Sequence, residues 1–158
     1  MKRLGYFIVL ALMSLSMVGC GAQKATSYMD MKTQYVGSEL DGSITVRSFG
    51  RARNAVDSYE QAQKQAVYDV VFSYLTKKDG SLLKPLLLEV NAKDKYETYF
   101  DAFFKDGGEY QDYCTMKEKR ISSSKWERTN AQSVCETTVC VYRSKLYDKL
   151  VNDKIIKK

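Results

Sequence analysis

Apolar positions recur along this chain with two different periods, and the place where the period changes marks its first structural junction. From Ser43 to Phe49, Ile44, Val46 and Ser48 alternate with Thr45, Arg47 and Phe49, and Gly50 follows. Period two is the signature of a strand with one buried face. Past Asn54 the spacing shifts to threes and fours: Ala55, Tyr59, Ala62, Ala66 and Val70, flanked by Val67, Val71 and Tyr74. This predicts a helix capped by Asn54 with Asp57 and running to about Tyr74. Its alanines let it lie close to a sheet, while Glu60, Gln61, Lys64 and Gln65 are expected in water. Lys77 to Ser81, with Gly80, reads as a turn.

Leu82 to Val90 is apolar around the only proline, Pro85, and periodicity does not separate a short strand from a buried linker. Asp94 and Glu97 open a second helical pattern in which Tyr96, Tyr99, Phe100 and Phe103 form an aromatic stripe, stopped at Gly107-Gly108. A helix needs such a face for burial, so the stripe is read as core; a sugar-stacking platform is the sharper use of the same rings. Tyr110 to Ile121 and Ala131 to Arg143 suit strands. The second sets Cys135, Thr137, Val139 and Val141 on one face against Glu136, Thr138, Cys140 and Tyr142. Between them Ser122 to Asn130, polar except for Trp126, predicts a long hairpin. Ser144 starts a last helix with Leu146, Tyr147, Leu150 and Val151 inward, followed by a basic tail, Lys154 to Lys158. The order strand, helix, helix, strand, strand, helix predicts an α+β domain, a mainly antiparallel sheet with helices packed on one face.

Ahead of this domain stand Lys2 and Arg3 and an apolar run, Tyr6 to Met13, too short for a membrane span, which needs ~20 residues. That is the pattern of a secretory signal. It ends in Met17-Val18-Gly19-Cys20, which resembles the lipobox of bacterial lipoproteins, with Met17 where leucine is usual. The resemblance implies cleavage before Cys20, a diacylglycerol on its thiol and an acylated amino group. Several chains hold a protein durably on a membrane where one holds it weakly. Residues 1–19 are then a signal peptide, 20–42 a lipidated cysteine and flexible tether, and 43–158 one domain. The tether reaches at most ~70 Å when extended, and a short strand is possible within it at Gln34 to Val36. Gly21 rather than an acidic residue after Cys20 favours the outer membrane, facing the periplasm.

Composition narrows the chemistry. The chain of 158 residues carries +6, and removing Lys2 and Arg3 with the signal lowers this to about +4. A mildly basic exported protein has anionic headgroups, anionic glycan or an acidic partner surface as counter-charges, and no nucleic acid. Hydrophobic content of 44% with twelve tyrosines belongs to a folded domain. There is no histidine, which removes Ser-His-Asp and Cys-His arrangements and the usual zinc sites. No phosphate-loop or serine-nucleophile motif occurs. Neither a metal nor a cofactor is expected. Glu97 and Asp101 share a helical face at i,i+4, but glycoside cleavage needs two acids across a bond, so they read as a solvated face.

Three cysteines besides Cys20 allow one disulfide at most. Cys135 and Cys140 fall on opposite faces of a strand and are not expected to pair. A hairpin centred near Glu127 sets Cys114 across from Cys140, and one nearer Lys125 sets it by Cys135. Cys114 with Cys140 is the expected pair, with no disulfide as the alternative. Arg47, Arg51 and Arg53 surround Gly50 just before a helix start, where guanidinium groups and helix amides can hold an anion; solvated arginines in a turn are the plain alternative.

The run Ile44-Thr45-Val46-Arg47-Ser48-Phe49-Gly50, followed by Arg53-Asn54-Ala55-Val56 and the Ala62/Ala66 repeat, is similar to small Gram-negative lipoproteins whose domain looks like the N-terminal domain of the flagellar assembly protein T. Asn91-Ala92 through Tyr96, and Phe103 to Gly108, also resemble lipoproteins of gut anaerobes. The resemblance implies an envelope accessory domain of the same α+β class, with no activity to carry over. The function expected is therefore a membrane-anchored, non-catalytic domain that binds an envelope protein or an anionic glycan. A self-assembling structural lipoprotein and a carboxylate-based envelope enzyme are the alternatives.

Overall fold

The computed structural model describes residues 32–117 and 133–157. The signal segment, Cys20, the first half of the tether and the hairpin tip with Trp126 lie outside the described residues. In chain order the elements are β1 (Gln34–Ser38), β2 (Ile44–Ala52), α1 (Ala55–Phe72), β3 (Leu75–Thr76), β4 (Leu82–Leu83), α2 (Ala92–Lys95), α3 (Glu97–Phe103), a 3-10 helix at Glu109–Tyr113, β5 (Cys114–Met116), β6 (Ser133–Val141) and α4 (Arg143–Asn152). The protein is α+β. Four strands form an antiparallel sheet in the order β1-β2-β6-β5, and β3 and β4 pair separately.

The alternation read in β2 holds in part: Ile44, Val46, Ser48 and Gly50 are buried and Arg47 and Arg51 exposed, but Thr45, expected on the open face, is also buried. Opposite Ile44, Val46, Ser48 and Gly50 on β6 stand Val141, Val139, Thr137 and Cys135, so one face of the two central strands is continuous. On that face lies α1, burying Ser58, Ala62, Ala66, Val67, Val70 and Val71. Its closest approach is at Gly50, where an added Cβ would stand 1.9 Å from the Ser58 carbonyl oxygen and 2.5 Å from the Ala62 nitrogen. No side chain fits between strand and helix there. The helix starts as expected, with Asn54 Oδ1 accepting the Asp57 N–H at 2.9 Å. It ends at Phe72, two residues early, because the next segment takes over its last carbonyls. The Leu86 and Leu87 amides donate to Val70 and Val71 oxygens at 3.1 and 2.9 Å, satisfying groups that a helix end leaves orphaned. Leu82 to Val90 is therefore a linker with two residues of strand, buried only at Pro85, Leu86 and Leu87, while Leu82, Leu88 and Val90 are exposed.

Several boundaries differ from the sequence reading. Gln34 to Ser38, placed in the tether, pairs with β2 as an edge strand, so the folded domain begins ahead of residue 43. The aromatic helix is broken at Tyr96 into α2 and α3. The strand expected from Tyr110 starts only at Cys114. Glu60 draws the preceding turn inward: its Oε1 accepts from the Gly107 amide at 2.9 Å and from the Tyr110 hydroxyl at 3.0 Å. Tyr110 is thereby fully buried, and Glu60 is not the water-facing residue expected. In α4, Leu146 and Leu150 are fully buried, but Tyr147 is 37% exposed rather than inward. The basic tail does not simply trail away. Lys154 adopts φ 61°, a left-handed turn that closes the helix and returns Ile155 to the core, its amide donating to the Leu150 oxygen at 2.9 Å. Among the described residues no helix is long and apolar enough to cross a membrane.

Candidate functional site

The side of α1 turned from the sheet meets α2 and α3, and the two walls enclose a cavity of about 250 Å3. Its floor is aromatic. Tyr68 and Phe72 come from α1, one turn apart with ring centroids 4.8 Å from each other; Phe100 and Phe104 come from α3 and its end. Phe72 meets Phe100 edge-on at 4.8 Å, and Tyr68 lies 5.7 Å from Phe104. Edge and tilted contacts of this kind lock rings against one another and make a stiff base. Phe100 is buried, whereas Tyr68, Phe72 and Phe104 are partly open.

Polar groups rim this floor on both sides. From α1 come Gln61, Lys64 and Gln65; from the α2–α3 side come Lys93, Asp94, Glu97 and Asp101. Asp94 comes from α2, and Glu97 and Asp101, four residues apart, from one face of α3, and all three line the groove. Among the described residues these three carboxylates make no hydrogen bond and no ion pair within 4 Å. The other charges are partly committed. Lys64 Nζ binds Asp106 at 2.6 Å, and Lys93 Nζ stands 5.5 Å from the centre of the Tyr68 ring. A hydrogen bond with Tyr68 holds the Lys93 ammonium pKa above its usual value. The Gln65 amide donates to Asp69 at 3.0 Å, which leaves its carbonyl for a ligand. Hydrogen-bond donors and acceptors thus alternate around a stacking surface, and no three ligating side chains converge to hold a metal ion among the described residues.

Both partners of the Glu97/Asp101 pair line this groove, and both are exposed. They sit on consecutive turns of one wall, which is unsuited to flanking a scissile bond. Sequence reasoning missed Tyr68 and Phe72. Their signal was present, since Gln61, Gln65, Tyr68 and Phe72 recur at spacings of four, three and four, forming a second stripe beside the alanines.

The arginine cluster is not assembled. Arg47 and Arg51 alternate with Ser48 and Gly50, which face α1, and so project from the other face of the sheet. Arg47 Nε pairs with Glu136 at 3.2 Å, and Arg53 stands exposed in the turn. At the helix start, Asn54 and Asp57 cap each other, with Asn54 Nδ2 donating to Asp57 Oδ2 at 2.8 Å. The Asp57 carboxylate already supplies the negative charge that helix amides attract.

Cys114, Cys135 and Cys140 are buried free thiols. The expected Cys114–Cys140 disulfide is absent because the register is displaced by one residue: Cys114 faces Val141, and Cys140 faces Thr115. One step turns the two side chains to opposite faces. Cys135 and Cys140 also lie on opposite faces. Burial pushes the Cys114 thiol up to about 12 and the Cys135 thiol up to about 11, the opposite of what a reactive thiolate needs. Comparison of the chain with known family models, with curated proteins and with solved structures returns no match.

Proposed function

We propose that this chain is a lipid-anchored envelope protein whose α+β domain binds another envelope component in the groove between α1 and α3, without catalysis. The observation that carries the reading is the set of three carboxylates that, among the described residues, make no hydrogen bond or ion pair within 4 Å, with Lys93 as a nearby charge for Asp94 and Asp101, beside an aromatic floor. Exposed acids at i,i+4 repel one another slightly; Asp94 and Glu97 stand in the first turns of α2 and α3, where helix amides favour a carboxylate, but Asp101 has no such role. A ligand that uses them gives their placement a purpose. Concave, aromatic-floored sites with a few convergent polar groups are the usual form of a binding pocket. Anchoring rests on the signal-like segment and on Cys20, with the chain up to β1 as the link between membrane and domain. An acidic rim disfavours an anionic glycan in this groove, and no cofactor enters the proposal.

Two measurements test the halves separately. Cells fed a lipid analogue should label the wild-type protein and not Cys20→Ala, which should leave the membrane fraction; equal membrane retention would refute the anchor. A photocrosslinking residue at Gln61, inside the groove, should capture an envelope component in intact cells. The same group at Val56, 76% exposed at the far end of α1, should not. Capture equal at the two positions, or none at Gln61, would refute the groove as the binding site.

A further inference from the structure

Resting on that reading, we propose that the groove takes one ring of an uncharged saccharide, stacked on the open aromatic faces and held by hydroxyl hydrogen bonds to the rim. The argument is one of charge and hydrogen-bond valence. An anionic ligand would face Asp94, Glu97 and Asp101, and a cationic one would face Lys64 and Lys93, with the Lys93 ammonium already near the Tyr68 ring. A neutral polyol meets neither obstacle. Its hydroxyls donate to carboxylates, which only accept, and receive from ammonium groups, which only donate; the Gln61 amide does both. The C–H face of a pyranose supplies a flat apolar surface for the parts of Tyr68, Phe72 and Phe104 that remain exposed, while their contacts with one another and with Phe100 keep the floor stiff. The cavity of about 250 Å3 lies below the ~300 Å3 at which drug-sized pockets begin, so it suits a single ring with the rest of an oligosaccharide outside.

The test is saturation-transfer NMR on the detergent-solubilised full chain with four probes: cellotriose, tri-N-acetylchitotriose, trilysine and inorganic phosphate. At least one of the two sugars should receive saturation, most strongly at the ring hydrogens of a single unit, with an affinity that changes less than twofold between 50 and 500 mM salt. Glu97→Gln with Asp101→Asn should weaken it at least tenfold while leaving the circular dichroism spectrum unchanged. Val56→Ser, at the exposed far end of α1 and outside the groove, should bind within threefold of wild type. Binding of trilysine or phosphate with no response to either sugar would overturn the saccharide, as would sugar binding that survives the double substitution. Those outcomes do not touch the groove itself, because capture from Gln61 in cells reports a partner whatever its chemistry. Loss of capture at Gln61 would refute the groove, and this inference with it.

Discussion

The two long faces of α1 are built from different material. Toward the sheet it presents Ser58, Ala62, Ala66, Val67 and Val70, small or branched and buried; toward α3 it presents Gln61, Lys64, Gln65, Tyr68 and Phe72 around open space. On the first face volume decides everything, since helix and strand backbones nearly touch at Gly50. On the second the side chains are aromatic or long and polar and at most partly buried, so chemistry as well as packing decides which residues fit. A substitution should therefore act on stability on one side and on ligand binding on the other.

The largest effect belongs to the tight side. Gly50→Ala puts a methyl group 1.9 Å from the Ser58 carbonyl, and backbone on both sides leaves it nowhere to go. We expect a loss of about 3 kcal/mol or more in unfolding free energy, at the upper end of overpacking costs, read as a lowered urea midpoint. Gly37→Ala is the control, because a Cβ there meets nothing within 4 Å; it should stay within about 0.5 kcal/mol of wild type. Equal losses at the two glycines would show that strand propensity, not the helix crossing, sets the cost.

The tight side was also the legible one. Period two in Ile44 to Phe49 and the alanine repeat in α1 are strong signals because burial on a regular element forces regular spacing. β1 was faint: it is five residues long, contains Gly37, and its pairing with β2 slips between Tyr35 and Gly37, so no alternation builds up. Tyr110 and Tyr113 look like strand positions, but local backbone hydrogen bonds and the distant Glu60 carboxylate hold that stretch as a turn. The Cys114 register failed by one residue, which a hairpin of unknown tip cannot specify. Half of the groove was visible in Glu97, Asp101 and Phe100. The other half, Tyr68 and Phe72, lay on a face of α1 whose neighbours, Gln61 and Lys64, read as solvent-facing until α3 is placed opposite.

A middle-sized effect comes from Cys114, which belongs to the same core as the sheet-facing side of α1. Its folded pKa lies near 12 through burial, against 9.0 for an ordinary thiol. The unfolded chain therefore gives up this proton first as pH rises. It binds fewer protons than the native state above about pH 9, so stability falls with pH there and is unaffected by this group below it. The slope approaches at most about 1.4 kcal/mol per pH unit. Urea denaturation in reducing buffer at pH 8, 9 and 10 should show this decline, and Cys114→Ala should make it shallower, leaving the share of Cys135, whose thiol burial also pushes up. An unchanged slope in the variant would place the titration elsewhere, with Cys135 as the next thiol to substitute.

The smallest effect is the one that separates the two faces most cleanly. Glu97→Gln with Asp101→Asn removes a like-charge pair at i,i+4 from an exposed wall, and such pairs cost a helix about 0.2–0.5 kcal/mol. Neither acid has a hydrogen bond or ion pair to lose among the described residues. Both substitutions keep side-chain size, so the aromatic floor beneath them stays covered. Relief of that repulsion is offset by loss of the Glu97 charge from the first turn of α3, so the double variant should stay within about 0.5 kcal/mol of wild type in urea. A loss above about 1 kcal/mol would mean that these carboxylates hold α3 in place. The groove would then be packing like the other side of α1, and the case for a binding site would fall with the contrast between the two faces.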